Sequence, residues 1–190
     1  NRLPTSVMPI QDCVAHAIDP SLSTGPVPVL TPKAQPQHAS AKQHQTGEAS
    51  LTGSGLRSQA DFTVRGRALV TDVPITYLGY VNRDSGVIEE PGHPLDGVAI
   101  EDTVLVYPKG SGSTVAPYVL MGLIYTGKGP KAVVNRDICP LTLPACSLLG
   151  VPYGHGFDND PCLAVNTGDT VEFRRTPDGV VLEVVERVQP

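Results

Sequence analysis

The chain has 190 residues, of which 40% are hydrophobic and 17% charged, with a net charge of −5 and no tryptophan. That balance argues against a general nucleic-acid binder and against electrostatic attraction to acidic membranes, so no nucleic-acid and no membrane partner is expected. No apolar run reaches the length of a bilayer span or a secretory signal, and the length allows one domain plus an appendage or at most two small domains.

The first residue is Asn rather than Met, so the sequence is expected to be processed, trimmed or a piece of a longer polypeptide. Residues 1–60 contain no aromatic side chain but carry Pro4, Pro9, Pro20, Pro26, Pro28, Pro32 and Pro36, followed by a Gln/His/Ala/Ser tract over 35–45. Such a segment buries too little apolar surface to offset its ordering entropy, so 1–60 is expected to be a linker or a partner-binding arm. Within it, 7–18 is the stretch best suited to a short helix or strand, and His38 and His44 read as solvated linker residues.

From residue 61 the pattern is globular. Residues 62–70 alternate as a strand, with Arg65 and Arg67 opposite Val64 and Ala68. A second apolar, β-leaning piece covers 74–80, and 82–97 is rich in turn residues. Residues 103–107 form an apolar run without polar alternation, which predicts a central strand. Residues 115–125 read as a helix, with Pro117 tolerated in the first turn and Gly127 and Gly129 ending it. A short strand over 131–135, a helical turn over 141–149 and a hairpin (170–174 and 180–185, around Pro177, Asp178 and Gly179) complete the domain. The expected fold is α+β, with about six strands in a mixed β core and few helices over roughly 130 residues, a size that can stand alone.

The cysteines Cys13, Cys139, Cys146 and Cys162 form no Cys-x-x-Cys pair, and the gaps of six and fifteen residues between the last three match no common zinc or iron–sulfur spacing. They read as reduced, partly buried thiols in a cytoplasmic protein, and no metal site is expected within the chain. His93, Asp158, Asp160 and Lys131 read as turn or strand-entry residues; His155, between two glycines, reads as a solvated loop histidine, with reach to a substrate as the alternative.

The stretch that carries chemistry is Gly110-Ser111-Gly112-Ser113-Thr114, between the central strand and the long helix. It places the Ser113 hydroxyl and several backbone N–H groups at a helix N-terminus, where an anion or a developing negative charge is stabilised. It lacks the Gly-Lys-Ser/Thr ending of a nucleotide phosphate loop and the Gly-x-Ser-x-Gly pattern of a nucleophile elbow. A purely structural role, with Ser113 or Thr114 capping the helix, is the alternative. A helix terminus contributes at most about 2 kcal/mol, which at about 1.4 kcal/mol per pKa unit moves a serine hydroxyl by only one or two units. If Ser113 is catalytic, the rest of its activation comes from outside this chain.

Residues 66–154 resemble the small subunit, or small domain, of the aconitase X family. The resemblance rests on Arg65-Gly66-Arg67-Ala68, Pro74-Ile75-Thr76-Tyr77-Leu78-Gly79, Ser85-Gly86-Val87-Ile88 and His93-Pro94-Leu95-Asp96-Gly97. It continues through Val104-Leu105-Val106-Tyr107-Pro108, the serine loop, Gly129-Pro130-Lys131-Ala132-Val133-Val134 and Leu149-Gly150-Val151-Pro152-Tyr153, in order and at kept spacing. It implies a swivelling β/β/α domain over residues 61–190 that closes on a larger catalytic subunit or domain holding an iron–sulfur cluster, with none bound by this chain. It also implies a hydro-lyase active only with that partner, dehydrating a small hydroxy acid: cis-3-hydroxy-L-proline in some members, a phosphorylated mevalonate in others. Ser113 maps onto the serine thought to act as base while cluster iron acts as Lewis acid on the departing hydroxyl, and Gly110, Gly112 and Thr114 would line the substrate.

This chain departs from the family at Ser111, where members usually carry Lys or Arg, and at Tyr80, where many carry glycine. Loss of a cation at 111 favours a hydroxyproline-like substrate over a phosphorylated one. Two other readings remain open at this point: a non-catalytic scaffolding subunit that kept the fold, and a serine hydrolase using His155.

Overall fold

The computed structural model describes residues 49–189. The expectations for residues 1–48, including Cys13, His38 and His44, lie outside the described residues. The elements in chain order are β1 (Ser50–Gly55), β2 (Thr63–Val70), β3 (Ile75–Thr76), α1 (Tyr77–Tyr80), β4 (Val104–Tyr107), β5 (Gly110–Ser111) and α2 (Ala116–Tyr125). They continue with β6 (Ala132–Asn135), α3 (Leu143–Leu149), β7 (Tyr153–His155), α4 (Pro161–Ala164), β8 (Thr170–Thr176) and β9 (Gly179–Glu186).

Seven strands close a barrel in the order β1-β7-β6-β4-β2-β8-β9, with β9 returning to pair with β1. β2, β4, β6 and β7 run parallel to their neighbours among themselves, whereas β1, β8 and β9 pair antiparallel. The two remaining strands, β3 and β5, form a separate parallel pair. This is the mixed β core with few helices that the sequence predicts, and β4 is indeed central, between β2 and β6. Its lack of polar alternation follows from burial on both faces. Val104 and Val106 join the barrel core with Phe173, Leu182 and Val180, while Leu105 and Tyr107 join a second core with Leu120, Leu123, Ala145 and Cys146 of α2 and α3.

Two expectations change. Strand β1 lies within residues assigned to the arm, so the folded unit begins upstream of residue 61 and has more than six strands. Its glycines read as linker, but they serve close packing: a Cβ at Gly53 would stand 2.7 Å from the Phe157 ring, and one at Gly55 would stand 2.6 Å from Val180 Cγ1. The 74–80 piece is β only at Ile75–Thr76. It then turns through α1, where Gly79 takes φ +93°, a conformation open to glycine.

A chain of buried hydroxyls lies beneath β5. Thr142 Oγ1 donates to Cys139 Sγ (3.3 Å). A hydroxyl has one proton, so the Tyr107 hydroxyl donates to Thr142 Oγ1 (2.8 Å) and the Tyr77 hydroxyl to Tyr107 (2.7 Å). The Gly110 N–H also donates to Cys139 Sγ (3.1 Å), and the Cys139 N–H donates to the Tyr153 hydroxyl (3.0 Å). All of these side chains are buried. Burial pushes the Tyr77, Tyr107 and Tyr153 hydroxyls above their ordinary range, because the phenolate would lose its hydration.

A raised folded-state pKa means that the native chain keeps protons which the unfolded chain releases near pH 10, so stability falls as pH rises above about 10. In a titration followed at 295 nm, these three tyrosines should contribute absorbance only together with loss of circular dichroism. Tyr107→Phe should remove amplitude from that unfolding-linked phase alone; removal from an earlier phase would contradict the buried network. The same substitution strands the Tyr77 hydroxyl and Thr142 Oγ1, and denaturant unfolding should register a loss of roughly 2–3 kcal/mol.

Candidate functional site

The serine loop is held at both ends. On its entry side β5 pairs with β3, Ile75 opposite Gly110 and Thr76 opposite Ser111, and the Ile75 N–H donates to the Lys109 carbonyl (3.3 Å). The bond from Gly110 to Cys139 ties the same strand to the hydroxyl chain below it. A Cβ at Gly110 would sit 3.2 Å from Leu141 Cβ, so this strand lies tight against the segment that leads into α3. Gly112 then turns the chain at φ +89°, a value that disfavours any side chain, and a Cβ there would stand 3.1 Å from Thr76 Cγ2.

Ser113 and Thr114 follow, both exposed. Ser113 receives the turn into the helix: its carbonyl accepts from the Ala116 N–H (2.9 Å) and its Oγ from the Val115 N–H at a long 3.4 Å. The helix-capping alternative therefore describes part of what Ser113 does. That contact is weak, and the hydroxyl remains on the surface with its own proton and a lone pair available. The N–H groups of Gly112, Ser113 and Thr114 find no acceptor among the described residues. No acidic residue occupies the first turn of α2, so nothing there neutralises the positive end of its dipole. The result is an exposed serine hydroxyl whose neighbouring backbone carries three N–H groups without an internal acceptor, a set of donors of the kind that holds a carboxylate or stabilises an oxyanion.

The other residues singled out from sequence take structural roles or stand apart. His93 is buried, and its Nδ1 accepts from the Leu95 N–H (3.0 Å) within a turn. Asp158 Oδ1 accepts from the Thr52 and Asn159 N–H groups, and Asp160 caps α4 at Cys162 while pairing with Arg136 at 2.7 Å. Lys131 pairs with Asp102 at 2.9 Å on the surface. His155 packs beside Tyr153, and desolvation lowers its pKa. No hydrogen bond among the described residues joins His155 to Ser113. Lys109 is exposed and enters no ion pair among the described residues.

Sequence reasoning missed the support beneath the loop: Tyr77, Tyr107, Cys139 and Thr142. The available signal was the placement of hydroxyl side chains inside otherwise apolar buried runs, which require partners.

The described thiols, Cys139, Cys146 and Cys162, do not suit an iron–sulfur cluster. Cys139 Sγ is engaged by two donors, Cys146 and Cys162 belong to different cores, and burial raises both pKa values, that of Cys162 to about 12. No group of three or more ligating side chains occurs among the described residues. Nor is any helix among them long and apolar enough to cross a membrane.

With this geometry in place, comparison with known proteins is specific. A profile of the aconitase X swivel domain matches residues 55–182. The phosphomevalonate dehydratase small subunit of Pyrococcus abyssi is 37% identical over 108 residues, which span 57% of this chain and 81% of that protein. Its counterpart in Methanococcoides burtonii is 32% identical over 120 residues, 63% of this chain and 88% of that one. The crystal structure of Thermococcus kodakaraensis aconitase X in its holo-form superposes with a TM-score of 0.64 at 25% identity, covering 73% of this chain and 99% of that one. Relatives named as small subunits imply a large-subunit partner. The chain belongs to the aconitase X swivel-domain family, as the small part of a hydro-lyase.

Proposed function

We propose that Ser113 is the general base of an aconitase X-type dehydration, acting once a large catalytic subunit or domain has closed over the serine loop. The observation that carries this reading is the loop itself: an exposed hydroxyl beside three unpartnered N–H groups, on a backbone braced from below and from both sides. Ser113 Oγ, as the alkoxide, takes the proton from the carbon next to the one that loses its hydroxyl; the C–H electron pair becomes the double bond and the hydroxyl departs with its own pair. The N–H groups of Gly112, Ser113 and Thr114 hold the substrate carboxylate; Gly110, expected from sequence to line the substrate, is instead buried against Leu141, Cys139 and Thr142 and braces the loop from beneath.

In water the helix terminus shifts the serine by only one or two pKa units, at up to about 2 kcal/mol. Closure removes water, and the positive end of α2 then stabilises the alkoxide more strongly because the local dielectric falls. Because Cys139, Cys146 and Cys162 do not suit a cluster, we assign the iron–sulfur group of the family to the partner and route no step through these cysteines. The reaction would take place in the cytoplasm.

Two observations bear on the substrate and point in different directions. The relatives are named for phosphomevalonate, which supports a phosphorylated substrate and outweighs one residue. Ser111 in place of a cation supports the hydroxyproline-like alternative. We take phosphomevalonate as the substrate, with cis-3-hydroxy-L-proline as the second reading. A serine hydrolase finds no support, since Ser113 has no bonded base among the described residues.

The test is reconstitution with the large partner. Turnover of phosphomevalonate should fall roughly 10²–10⁴-fold in Ser113→Ala with assembly retained. Unchanged turnover would remove the base assignment. In the same assay the wild-type complex should prefer phosphomevalonate over cis-3-hydroxy-L-proline. The reverse preference would transfer the substrate to the second reading, and inactivity on both would favour a scaffolding subunit.

A further inference from the structure

One face of α2 has a composition that this chain's own interior does not explain. Val115 at its cap, then Tyr118, Gly122 and Tyr125, fall within a sector of roughly 80° on a helix of 3.6 residues per turn. All four are exposed, Tyr118 to 71%, Tyr125 to 86% and Val115 to 46%. A solvent-facing helix sector is ordinarily polar or charged, yet α2 has no charged side chain anywhere along its length.

Gly122, in the middle of this sector, is the second anomaly. A Cβ there would meet nothing within 4 Å, and its φ is not positive. Alanine would therefore fit without strain, and alanine favours a helix interior over glycine. Neither backbone conformation nor internal packing accounts for the missing side chain. A bare strip between two tyrosine rings suits the close approach of another backbone, and tyrosine is enriched where proteins meet. A lipid surface suits it poorly, because the helix offers no Lys or Arg to headgroups and the chain is acidic.

We infer that Val115, Tyr118, Gly122 and Tyr125 form the surface on which the large catalytic partner rests, with a segment of that partner's backbone laid against Gly122. The occupant follows from continuity with the site. The sector begins two residues after Ser113 and runs about 15 Å down the helix at 1.5 Å per residue. Any protein that covers Ser113 from the α2 side meets it, whereas a second copy of this chain on it would crowd the approach to Ser113. The inference rests on the functional reading above, but it is tested by assembly rather than by activity.

The experiment is titration of the purified chain with its separately produced large partner, alongside thermal melts of the chain alone. Gly122→Ala should raise the melting temperature of the isolated chain by roughly 2–4 °C, yet weaken association about tenfold or more, and Gly122→Leu should weaken it further. Tyr118→Ala and Tyr125→Ala should each weaken association about tenfold or more while the chain stays folded. Leu163→Ala, an exposed apolar change on α4, should bind as wild type. If wild type associates and the α2 variants associate equally well, this surface is not the interface and the proposal fails while the functional reading stands. If wild type does not associate at all, both fall. Self-association of the isolated chain that Tyr118→Ala abolishes would give the face to a second copy and also overturn the proposal.

Discussion

A hydroxyl can be presented to solvent and still be held still only if the backbone beneath it is tied to the interior, and here the tie is the N–H of Gly110 donating to the buried sulfur of Cys139. That sulfur is itself fixed by Thr142, and through Thr142 by Tyr107 and Tyr77, so the loop's entry strand is referred to three separate elements of the core. The other end of the loop is the first turn of α2, packed by Ala116, Val119 and Leu120. Between those anchors only Gly112, Ser113 and Thr114 are exposed in succession ahead of the helix cap. A rigid, short, exposed segment is what positions donors without reorganisation when charge develops.

If Ser113 is the base, as proposed, the same arrangement leaves the chain chemically unfinished alone. Its hydroxyl relay is buried, neutral and made of groups whose ionisation burial opposes, so it positions the loop and does not draw a proton from Ser113. The helix terminus provides a modest field in water. The remainder of the activation depends on exclusion of solvent, which an exposed loop obtains only from a second protein surface. On the proposed reading assembly and catalysis are one requirement, and the uncharged tyrosine face that continues from the loop along α2 is proposed to serve it.

Much of this architecture was legible in the residues. The apolar run at β4, the helix after the serine loop and the terminal hairpin each carry a local pattern whose physical cause is burial on one or two faces. The family resemblance rested on eight segments between residues 65 and 153, and those that carry β2, β4, β6 and the start of β7 proved to be paired strands, as did those that carry β3 and β5. β1 was not legible, because Gly53 and Gly55 carry the composition of a linker while serving as clearance for Phe157 and Val180. β7 was missed for a similar reason: three residues including Gly154 give no periodic signal, and they become a strand only because β6 and β1 pair with them.

Sequence was sufficient to locate the exposed hydroxyl proposed as the base, the helix that follows it and the expectation of a partner, since these depend on residue types a few positions apart. The hydroxyl relay is different. Tyr77, Tyr107, Cys139 and Thr142 span more than sixty positions of the chain, and hydrogen bonds between them exist only when α1, β4 and the approach to α3 converge beneath β5. The openness around Gly122 was equally a matter of folding, because whether a glycine is required or merely permitted depends on which atoms the finished fold places, or fails to place, beside it.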